Sequence, residues 1–318
     1  MKEGVSDLES FFNETHEHVE QKLNDTVTDQ HMRNAIHGGK RLRSLLAQLS
    51  FKACTAGDEH PDKYHRALES SVSIELAHGA SLVHDDIIDK DIERRGKPAF
   101  HVKEGIGKAL LMGHKMLAHG FNIALSHGKE VAQLYVDSWN EVVTGEIDEV
   151  DFNRKGAGAH MSAKDQIFEA YYKIIDLKTA GLFSSACKVG ALEADMAGDI
   201  LKVFGDYGRE IGLAYQLADD LVDLANGEII DSVIMPLINR LENKPKMGML
   251  KKREMKKLFA KNEEKIKQFY LDAIKKHVKN AEELSKSDLI PNSHYKSLLS
   301  EAPTYIINRM LHEIDITI

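Results

Sequence analysis

Apolar residues recur every three to four positions along five stretches of the chain, and polar residues fill the positions between them. This spacing places apolar side chains on one face of an α-helix, because the helix turns once in about 3.6 residues. The pattern predicts five amphipathic helices, within Tyr64–Asp89, Gly107–Leu125, Val131–Ile147, Ile167–Leu192 and Ile200–Leu224. No sustained run of alternating β-branched residues predicts a strand.

Composition extends the helical prediction to the whole chain. The 318 residues include only 6 prolines and are rich in lysine, glutamate, leucine and alanine, which favour long helices. No change of composition marks an internal boundary, so we predict one all-α domain over residues 1–318, a single large helical bundle around a central cavity. No apolar run reaches the length of about 18 residues that a membrane-spanning helix needs.

Charge and cysteine content narrow the partners and the compartment. The net charge of −8 and the pI near 6.1 argue against nucleic acid as the main partner. Two cysteines, Cys54 and Cys187, fall on separate predicted helices, and we interpret both as small core residues of a protein in a reducing compartment. The N-terminus is charged and lacks the apolar region of a secretory signal, so we expect a cytoplasmic protein.

An aspartate cluster occurs twice, as Asp-Asp-Ile-Ile-Asp at 85–89 and as Asp-Asp-Leu-Val-Asp at 219–223. Positions i and i+4 share a helix face, so Asp85 projects with Asp89, and Asp219 projects with Asp223. One such cluster is usually a solvated face. Two of them, each at the end of an apolar stretch, indicate carboxylates that share a divalent cation. All-oxygen ligands suit Mg²⁺, which also binds phosphate oxygens, so two facing clusters would hold a diphosphate.

Two basic elements suit the same diphosphate. Arg94 and Arg95, followed by Gly96 and Pro98, end the first aspartate helix and place two guanidinium groups beside the metal site. Guanidinium groups bind phosphate oxygens through paired hydrogen bonds. Upstream, Gly-Gly-Lys-Arg-Leu-Arg at 38–43 combines basic side chains with two glycines that allow close approach of the backbone.

These motifs resemble those of the trans-isoprenyl diphosphate synthases. The matching stretches keep the family's order and approximate spacing, and they are residues 38–43, 78–98, 178–180 and 215–223. The resemblance, which is to archaeal geranylgeranyl diphosphate synthases in its details, implies an isoprenoid synthase-type fold and a homodimer. It also implies a head-to-tail condensation: an allylic diphosphate loses its diphosphate, and the double bond of isopentenyl diphosphate attacks the resulting carbocation.

The resemblance implies a role for each motif residue. The first aspartate motif would bind two Mg²⁺ ions and the second a third, through Asp85, Asp89, Asp219 and Asp223. Asp86 and Asp220 would be outer ligands or would orient the inner ones. The diphosphate of isopentenyl diphosphate would be held by Lys40, Arg43, His78 and Arg95. The allylic diphosphate and the carbocation would be stabilised by Arg94, Lys178, Thr179 and Gln216.

The chain departs from the family in three places. After Asp223 the family usually carries a flexible segment with two lysines, followed by a Thr-Leu-Pro-like helix start. If Pro236 is the equivalent proline, this segment is short and lacks both lysines, although Arg240, Lys244 or Lys246 could substitute. We therefore expect residues 226–236 to form a tight turn into a helix, and the allylic primer to bind weakly and in strong dependence on Mg²⁺. The other departures are His114 in place of Asp and Glu146 in place of a common Gln.

The allylic tail should run along the helix that precedes the first aspartate motif. Small residues lie eight, five and four positions before Asp85, namely Ala77, Ala80 and Ser81, so no aromatic ring blocks the tunnel near its mouth. A fifteen-carbon limit is therefore not expected, and a bulky side chain deeper in the tunnel must set the length. Candidates for that floor are Phe121, Tyr135 and Trp139. We predict geranylgeranyl diphosphate (C20), with a C25–C35 product as the alternative.

Three other functions are possible alternatives to an active synthase, and each has a feature of the sequence against it. The missing lysines suggest a catalytically weak subunit that modulates a partner synthase, although the intact aspartate motifs argue against it. A class I terpene cyclase usually lacks both the second Asp-Asp-x-x-Asp motif and the Arg-Arg-Gly element. A metal phosphohydrolase, suggested by His84 beside Asp85, would need several further metal-binding histidines.

Overall fold

Local capping residues set where several of the helices begin. In the computed structural model, which describes residues 6–154, 164–227 and 252–318, Ser6 caps the first helix by accepting a hydrogen bond from the backbone N–H of Glu9 at 3.2 Å. Asp29 caps the second helix in the same way, and Ser293 caps the last long one. Proline at the first position of the fourth helix, Pro61, has no N–H that would be left unsatisfied there.

The described residues form twelve α-helices and one short hairpin. The helices before the hairpin are α1 (Asp7–Thr26), α2 (Gln30–Ile36), α3 (Leu42–Thr55) and α4 (Pro61–Ile88). The hairpin pairs β1 (Glu93–Arg94) with β2 (Lys97–Pro98). The helices that follow are α5 (Phe100–Glu104), α6 (Ile106–Ser126), α7 (Lys129–Arg154), α8 (Lys164–Ile175), α9 (Gly181–Glu193), α10 (Asp199–Ala225), α11 (Lys252–Ser285) and α12 (His294–Leu311). A π-helical turn, Asp176–Ala180, joins α8 to α9, and a 3₁₀ turn, His312–Ile314, follows α12.

Helices α3, α4, α9 and α10 form the centre of the bundle. Helix α9 packs on both α3 and α10, while α4 packs on α6 and α10 on α11. Glycines allow the closest of these approaches: a Cβ atom on Gly190 would lie 2.1 Å from the carbonyl oxygen of Ala47. The core around them includes the fully buried rings of Phe183, Phe204 and Tyr207. Tight packing of this kind fixes the relative positions of the helices that carry the polar motifs.

The predicted all-α class is confirmed, and four of the five predicted helices are present as single helices. The stretch predicted as one helix, 167–192, is divided by the π-helical turn. The two arginines were expected to lie where the first aspartate helix ends, but α4 already ends at Ile88 and they lie on the hairpin. Arg95 and Gly96 occupy its turn with φ of 53° and 72°, the positive values that a tight type I′ turn requires.

The structure tests the expectation for the two cysteines but not the one for residues 226–236. Cys54 and Cys187 are both buried and unpaired, as expected of small core residues. The turn expected at 226–236, with Pro236 and the alternative cations Arg240, Lys244 and Lys246, lies outside the described residues beyond Gly227. Across the ranges that are described, no helix is long and apolar enough to cross a membrane.

Candidate active site

The two aspartate motifs have the same internal arrangement. Each lies near the C-terminal end of a long helix, α4 or α10, and in each the second aspartate is the most deeply buried. Asp86 accepts a hydrogen bond from Nε of Arg94 at 2.7 Å. Asp220 accepts hydrogen bonds from Nε2 of Gln216 at 3.0 Å and from the hydroxyl of Tyr171. The middle aspartates are thus held by neighbouring side chains, while the outer aspartates of each motif are less buried.

Burial and like charges disfavour the ionised form of the carboxyl groups in the first motif. Burial raises the pKa of Asp85 well above its usual range, and the nearby carboxylates of Glu146 and Asp89 add to the rise against the opposing charge of Lys178. Burial likewise raises the pKa of Asp89 to about 6. In the second motif burial raises the pKa of Asp219. Each of these groups would gain from a cation.

The oxygen donors of the site suit a hard divalent cation that is also coordinated by water or by a bound diphosphate. They are the carboxylate oxygens of the two motifs, the donor type that Mg²⁺ prefers. Yet within the described ranges no three histidine, cysteine, aspartate or glutamate side chains converge as a complete protein metal centre. The residues therefore suit an ion that takes part of its coordination shell from water or from a diphosphate.

The raised pKa values give a testable pH dependence of cation binding. A carboxyl group whose pKa is higher in the folded than in the unfolded protein stabilises the fold while it is protonated. In the metal-free protein this stabilisation is lost as pH rises through the folded-state pKa. For Asp89 and Asp220 this happens near pH 6 and 7, since their pKa values are about 6 and about 7. We expect Mg²⁺ to raise the melting temperature at pH 7.5 and to have much less effect at pH 5, where protons compete with it.

Melting curves in EDTA and in Mg²⁺ at both pH values measure this difference directly. The exposed Asp272 on α11 provides a control, because Asp272→Asn should leave the Mg²⁺-induced shift unchanged at both pH values. An equal Mg²⁺ shift at pH 5 and pH 7.5 would show that these carboxylates do not bind the cation.

The π-helical turn places Lys178 and Thr179 beside the aspartates. Nζ of Lys178 lies 3.7 Å from Oδ2 of Asp85. The hydroxyl of Thr179 donates to Oε1 of Gln216 at 2.8 Å, and Gln216 in turn donates to Asp220. Although burial opposes the charged form, the carboxylates of Asp85 and Glu149 raise the pKa of Lys178. Lys178 is therefore a fixed positive charge, and Thr179 and Gln216 lie in one hydrogen-bonded chain with the second motif.

The hairpin directs its two arginines to different partners. Arg94 contacts Asp86 and, at 3.3 Å, Oδ2 of Asp91. Arg95 donates to the carbonyl oxygen of His37 at 3.0 Å. Arg94, which was predicted to contact the allylic diphosphate, thus lies against the first aspartate motif. Its positive charge, with those of Lys40 and Arg43, partly offsets the rise that burial causes in the pKa of Asp219.

Arg43 and His78 form a partly buried pair, while Lys40 lies at the surface. NH1 of Arg43 lies 3.2 Å from Nε2 of His78, and the guanidinium group stacks on the ring of Phe183 with its central carbon 4.4 Å from the ring centre. Burial, and then the charge of Arg43, hold the pKa of His78 well below its usual range, so His78 is neutral and accepts this hydrogen bond. Nζ of Lys40 lies 3.4 Å from Oε1 of Glu313.

A cavity of about 240 Å³ opens beside Lys40, between α1, α3, α10 and α12. Tyr215 and Arg309 also line it, whereas neither aspartate motif does. Two of the three small residues predicted to line a tunnel, Ala77 and Ala80, lie elsewhere, in two apolar clusters. Ala77 packs in the cluster that contains Phe121, Tyr135 and Trp139, and Ala80 packs with Met112 and Met116 in the other.

Several residues of the site were missed from the sequence. Glu149 contacts Lys178, Tyr171 contacts Asp220, and Arg41 makes a buried ion pair with Glu75. Only Glu149 had a visible pattern, because it lies one helical turn after Glu146 and so shares its face. The other contacts join residues 34 and 49 positions apart, which no local spacing reveals.

Comparison with known proteins identifies the family. The sequence pattern of the polyprenyl synthetases matches residues 25–231, which include both aspartate motifs. The chain belongs to the polyprenyl synthetase family. These proteins are the isoprenyl diphosphate synthases, which are trans-prenyltransferases, so the predicted family and enzyme class are confirmed.

Relatives of this polyprenyl synthetase include archaeal isoprenyl diphosphate synthases. It is 32% identical over 237 residues to a short chain isoprenyl diphosphate synthase of Methanothermobacter thermautotrophicus. The aligned region covers 72% of this chain and 69% of that relative. It is 27% identical over 295 residues to a geranylgeranyl diphosphate synthase of Methanosarcina mazei, with 86% of each chain covered. The solved geranylgeranyl pyrophosphate synthetase of the archaeon Geoglobus acetivorans shares the fold, with a TM-score of 0.76, 23% identity and coverage of 96% and 100%.

Proposed function

We propose that this polyprenyl synthetase is an active, Mg²⁺-dependent enzyme that condenses isopentenyl diphosphate head-to-tail with an allylic diphosphate to make geranylgeranyl diphosphate. The observation that carries the proposal is the set of carboxyl groups at Asp85, Asp89 and Asp219, whose ionised forms are disfavoured by burial, with Lys178 only 3.7 Å from Asp85. This set has the charges that a diphosphate bound with divalent cations would neutralise. We further propose that residues 1–318 act as one domain.

The chain's own residues would hold the leaving group and protect the carbocation. Asp85, Asp89, Asp219 and Asp223 would hold up to three Mg²⁺ ions, which would neutralise the charge that develops on the departing diphosphate. Lys178 would bind the diphosphate directly. Thr179 and Gln216, whose oxygens belong to one hydrogen-bonded chain, would present dipoles to the allylic carbocation. The released diphosphate would accept the proton lost after attack.

Arg94 would bind the allylic diphosphate, and Arg43 with Lys40 and Arg95 would bind the diphosphate of isopentenyl diphosphate. Arg94 lies against Asp86 in this structure and would reach the allylic diphosphate from there. The neutral His78 would orient Arg43, while Lys40 and Arg95 would add charge for the diphosphate of isopentenyl diphosphate.

Product analysis of the purified full chain tests this proposal. We expect isopentenyl diphosphate, Mg²⁺ and each allylic primer of five, ten or fifteen carbons to give a C20 diphosphate, with no product in EDTA. A product of 25 to 35 carbons would correct the length alone. Absence of product with every primer would favour the alternative of a catalytically weak subunit that modulates a partner synthase.

A ring introduced into the proposed tunnel should shorten the product. Ala77 packs among the side chains proposed as the floor, so Ala77→Phe should place its ring across the path of the tail and remove at least one five-carbon unit. Ala80→Phe tests the neighbouring cluster, and Ser81, which is half-buried and donates to the carbonyl oxygen of His78 at 2.8 Å, lies nearest the motif. An unchanged product distribution in both phenylalanine variants would show that the tail does not follow this face of α4.

We also propose that the enzyme is a homodimer joined through α6 and α7. Apolar side chains at helical spacing are exposed on these two helices, namely Leu110, Leu111, Leu125, Val136, Val143, Ile147 and Val150. Exposed apolar patches of this kind commonly mark a protein interface. Light scattering of the purified protein in solution should give twice the mass of one chain. For Val143→Lys the same measurement should give the mass of a single chain.

A further inference from the structure

Lys178 is held by two glutamates of α7 in addition to its contact with Asp85. Its Nζ lies 2.6 Å from Oε2 of Glu149 and 2.7 Å from Oε2 of Glu146. With Asp85 at 3.7 Å, three carboxylates surround one ammonium group. Even with Asp85 protonated, as its raised pKa favours, the two glutamates outweigh the single positive charge of Lys178 before any substrate or cation arrives. A diphosphate that approaches Lys178 must compete with these carboxylates.

Helix packing builds this arrangement into the fold. Gly145 lies against the backbone of the π-helical turn, where a Cβ atom would come within 2.7 Å of the backbone nitrogen of Lys178. The absence of a side chain lets α7 approach the turn, and the next residue, Glu146, then reaches the ammonium group. Because two packed elements define the distance, the pair is held more rigidly than two long side chains on a surface would be.

Glu146 is more buried than Glu149 and also lies against Asp85. The side chain of Glu146 is 14% exposed, and neither of its buried carboxylate oxygens has an aligned hydrogen bond. Glu149 accepts a hydrogen bond from Lys178 at 2.6 Å and is more exposed. In a partly buried site a unit charge acts strongly on its neighbours, so the charge of Glu146 opposes any second anion at Lys178.

We propose that Glu146 is a positioning residue that holds Lys178 in an internal ion pair and thereby weakens the binding of diphosphate in the absence of a cation. The proposal rests on the proposed function, because the competition matters only if Lys178 binds a diphosphate. It deepens the account of that site, because an internal carboxylate competes with the substrate for the same ammonium group and so lowers the affinity for substrate.

Replacing Glu146 by its neutral isostere isolates the charge. Glu146→Gln keeps the size of the side chain and an oxygen that can accept from Lys178, and it removes one negative charge. The probe is geranyl thiolodiphosphate, which keeps the charge of the substrate and ionises poorly. Calorimetric titration of the full-length protein in EDTA should give a dissociation constant about tenfold lower for Glu146→Gln than for the unsubstituted protein. Glu130→Gln, an exposed position in the first turn of the same helix, is the matched control and should leave the constant unchanged.

The same titration in saturating Mg²⁺ separates the alternatives. Weaker Mg²⁺-dependent binding by Glu146→Gln, with no gain in EDTA, would make Glu146 a metal ligand and overturn the proposal. Equal constants for the two variants and the unsubstituted protein would overturn it as well. Turnover is not needed for this measurement. Tighter binding by Glu146→Gln in a protein that forms no product would sustain the inference while the proposed activity fails.

Discussion

Asp85→Ala should lower turnover about a thousandfold or more without unfolding the protein. The carboxylate of Asp85 is proposed to hold a cation against the leaving diphosphate, and loss of a group that acts on developing charge typically costs at least two to three orders of magnitude. The same change should not lower the melting temperature in EDTA at pH 7.5. Burial and the neighbouring carboxylates raise the pKa of Asp85, so its charged form opposes folding at that pH.

Steady-state turnover at saturating Mg²⁺ and a melting curve for each variant measure both effects. Asp219→Ala should behave like Asp85→Ala, because the pKa of Asp219 is also raised by burial. Asp272→Ala, at an exposed site on α11, is the control and should retain the turnover of the unsubstituted enzyme. Near-normal turnover of either site variant would remove that residue from the proposed set of metal ligands.

Arg41→Met should lower the free energy of unfolding by about 3–5 kcal/mol, the usual cost of breaking a buried ion pair from one side. Arg41 is 4% exposed, and its guanidinium group donates to Glu20 at 2.6 Å, to Glu75 at 3.0 Å and to the carbonyl oxygen of Ile36 at 2.8 Å. Removing it leaves the buried carboxylate of Glu75 with the hydrogen bond from the hydroxyl of Ser44, 2.8 Å away, and the weaker influence of the charges on Arg43 and Arg95.

Urea unfolding at pH 7.5 provides the measurement, and two further variants interpret it. Adding Glu75→Gln to Arg41→Met should recover part of the loss, since the buried charge is then gone. Lys63→Met breaks a pair with Asp195 in which both side chains are exposed, so it should cost less than about 1 kcal/mol. If Arg41→Met and Lys63→Met lose the same amount, the Arg41 pair does not stabilise the fold in the way its burial indicates.

The helical pattern located α4, α6, α7 and α10 because each must bury one face against its neighbours, and burial imposes a period near 3.6 residues. The same pattern could not show the division between α8 and α9. A π-helical turn shifts the apolar pattern by about one residue, a change too small to mark the end of a helix in the sequence. Nor could it show the hairpin, since Arg95 occupies a left-handed conformation that favours glycine or asparagine.

Spacing located the aspartate pairs because both members lie on one helix, four residues apart. It could not locate partners that tertiary packing supplies. Arg41 lies between Lys40 and Arg43, two predicted phosphate-binding residues, and has the same charge. Its φ of 52° gives the chain a local bend there, and its side chain instead reaches Glu75, 34 residues along the chain. The roles of basic residues in one short motif thus depend on backbone conformation, which charge alone does not encode.

The π-helical turn makes the site sensitive to the number of residues as well as to their kind. One residue corresponds to about 100° of rotation around a helix axis and to 1.5 Å of rise. Deleting Leu177 would let α8 and α9 continue as one regular α-helix, and every side chain of α8 would then rotate by about that angle relative to α9. Tyr171 would turn away from Asp220, although no residue that contacts an aspartate had been altered. A single-codon deletion here therefore acts as a change of phase, which substitution of the same residue would not reproduce.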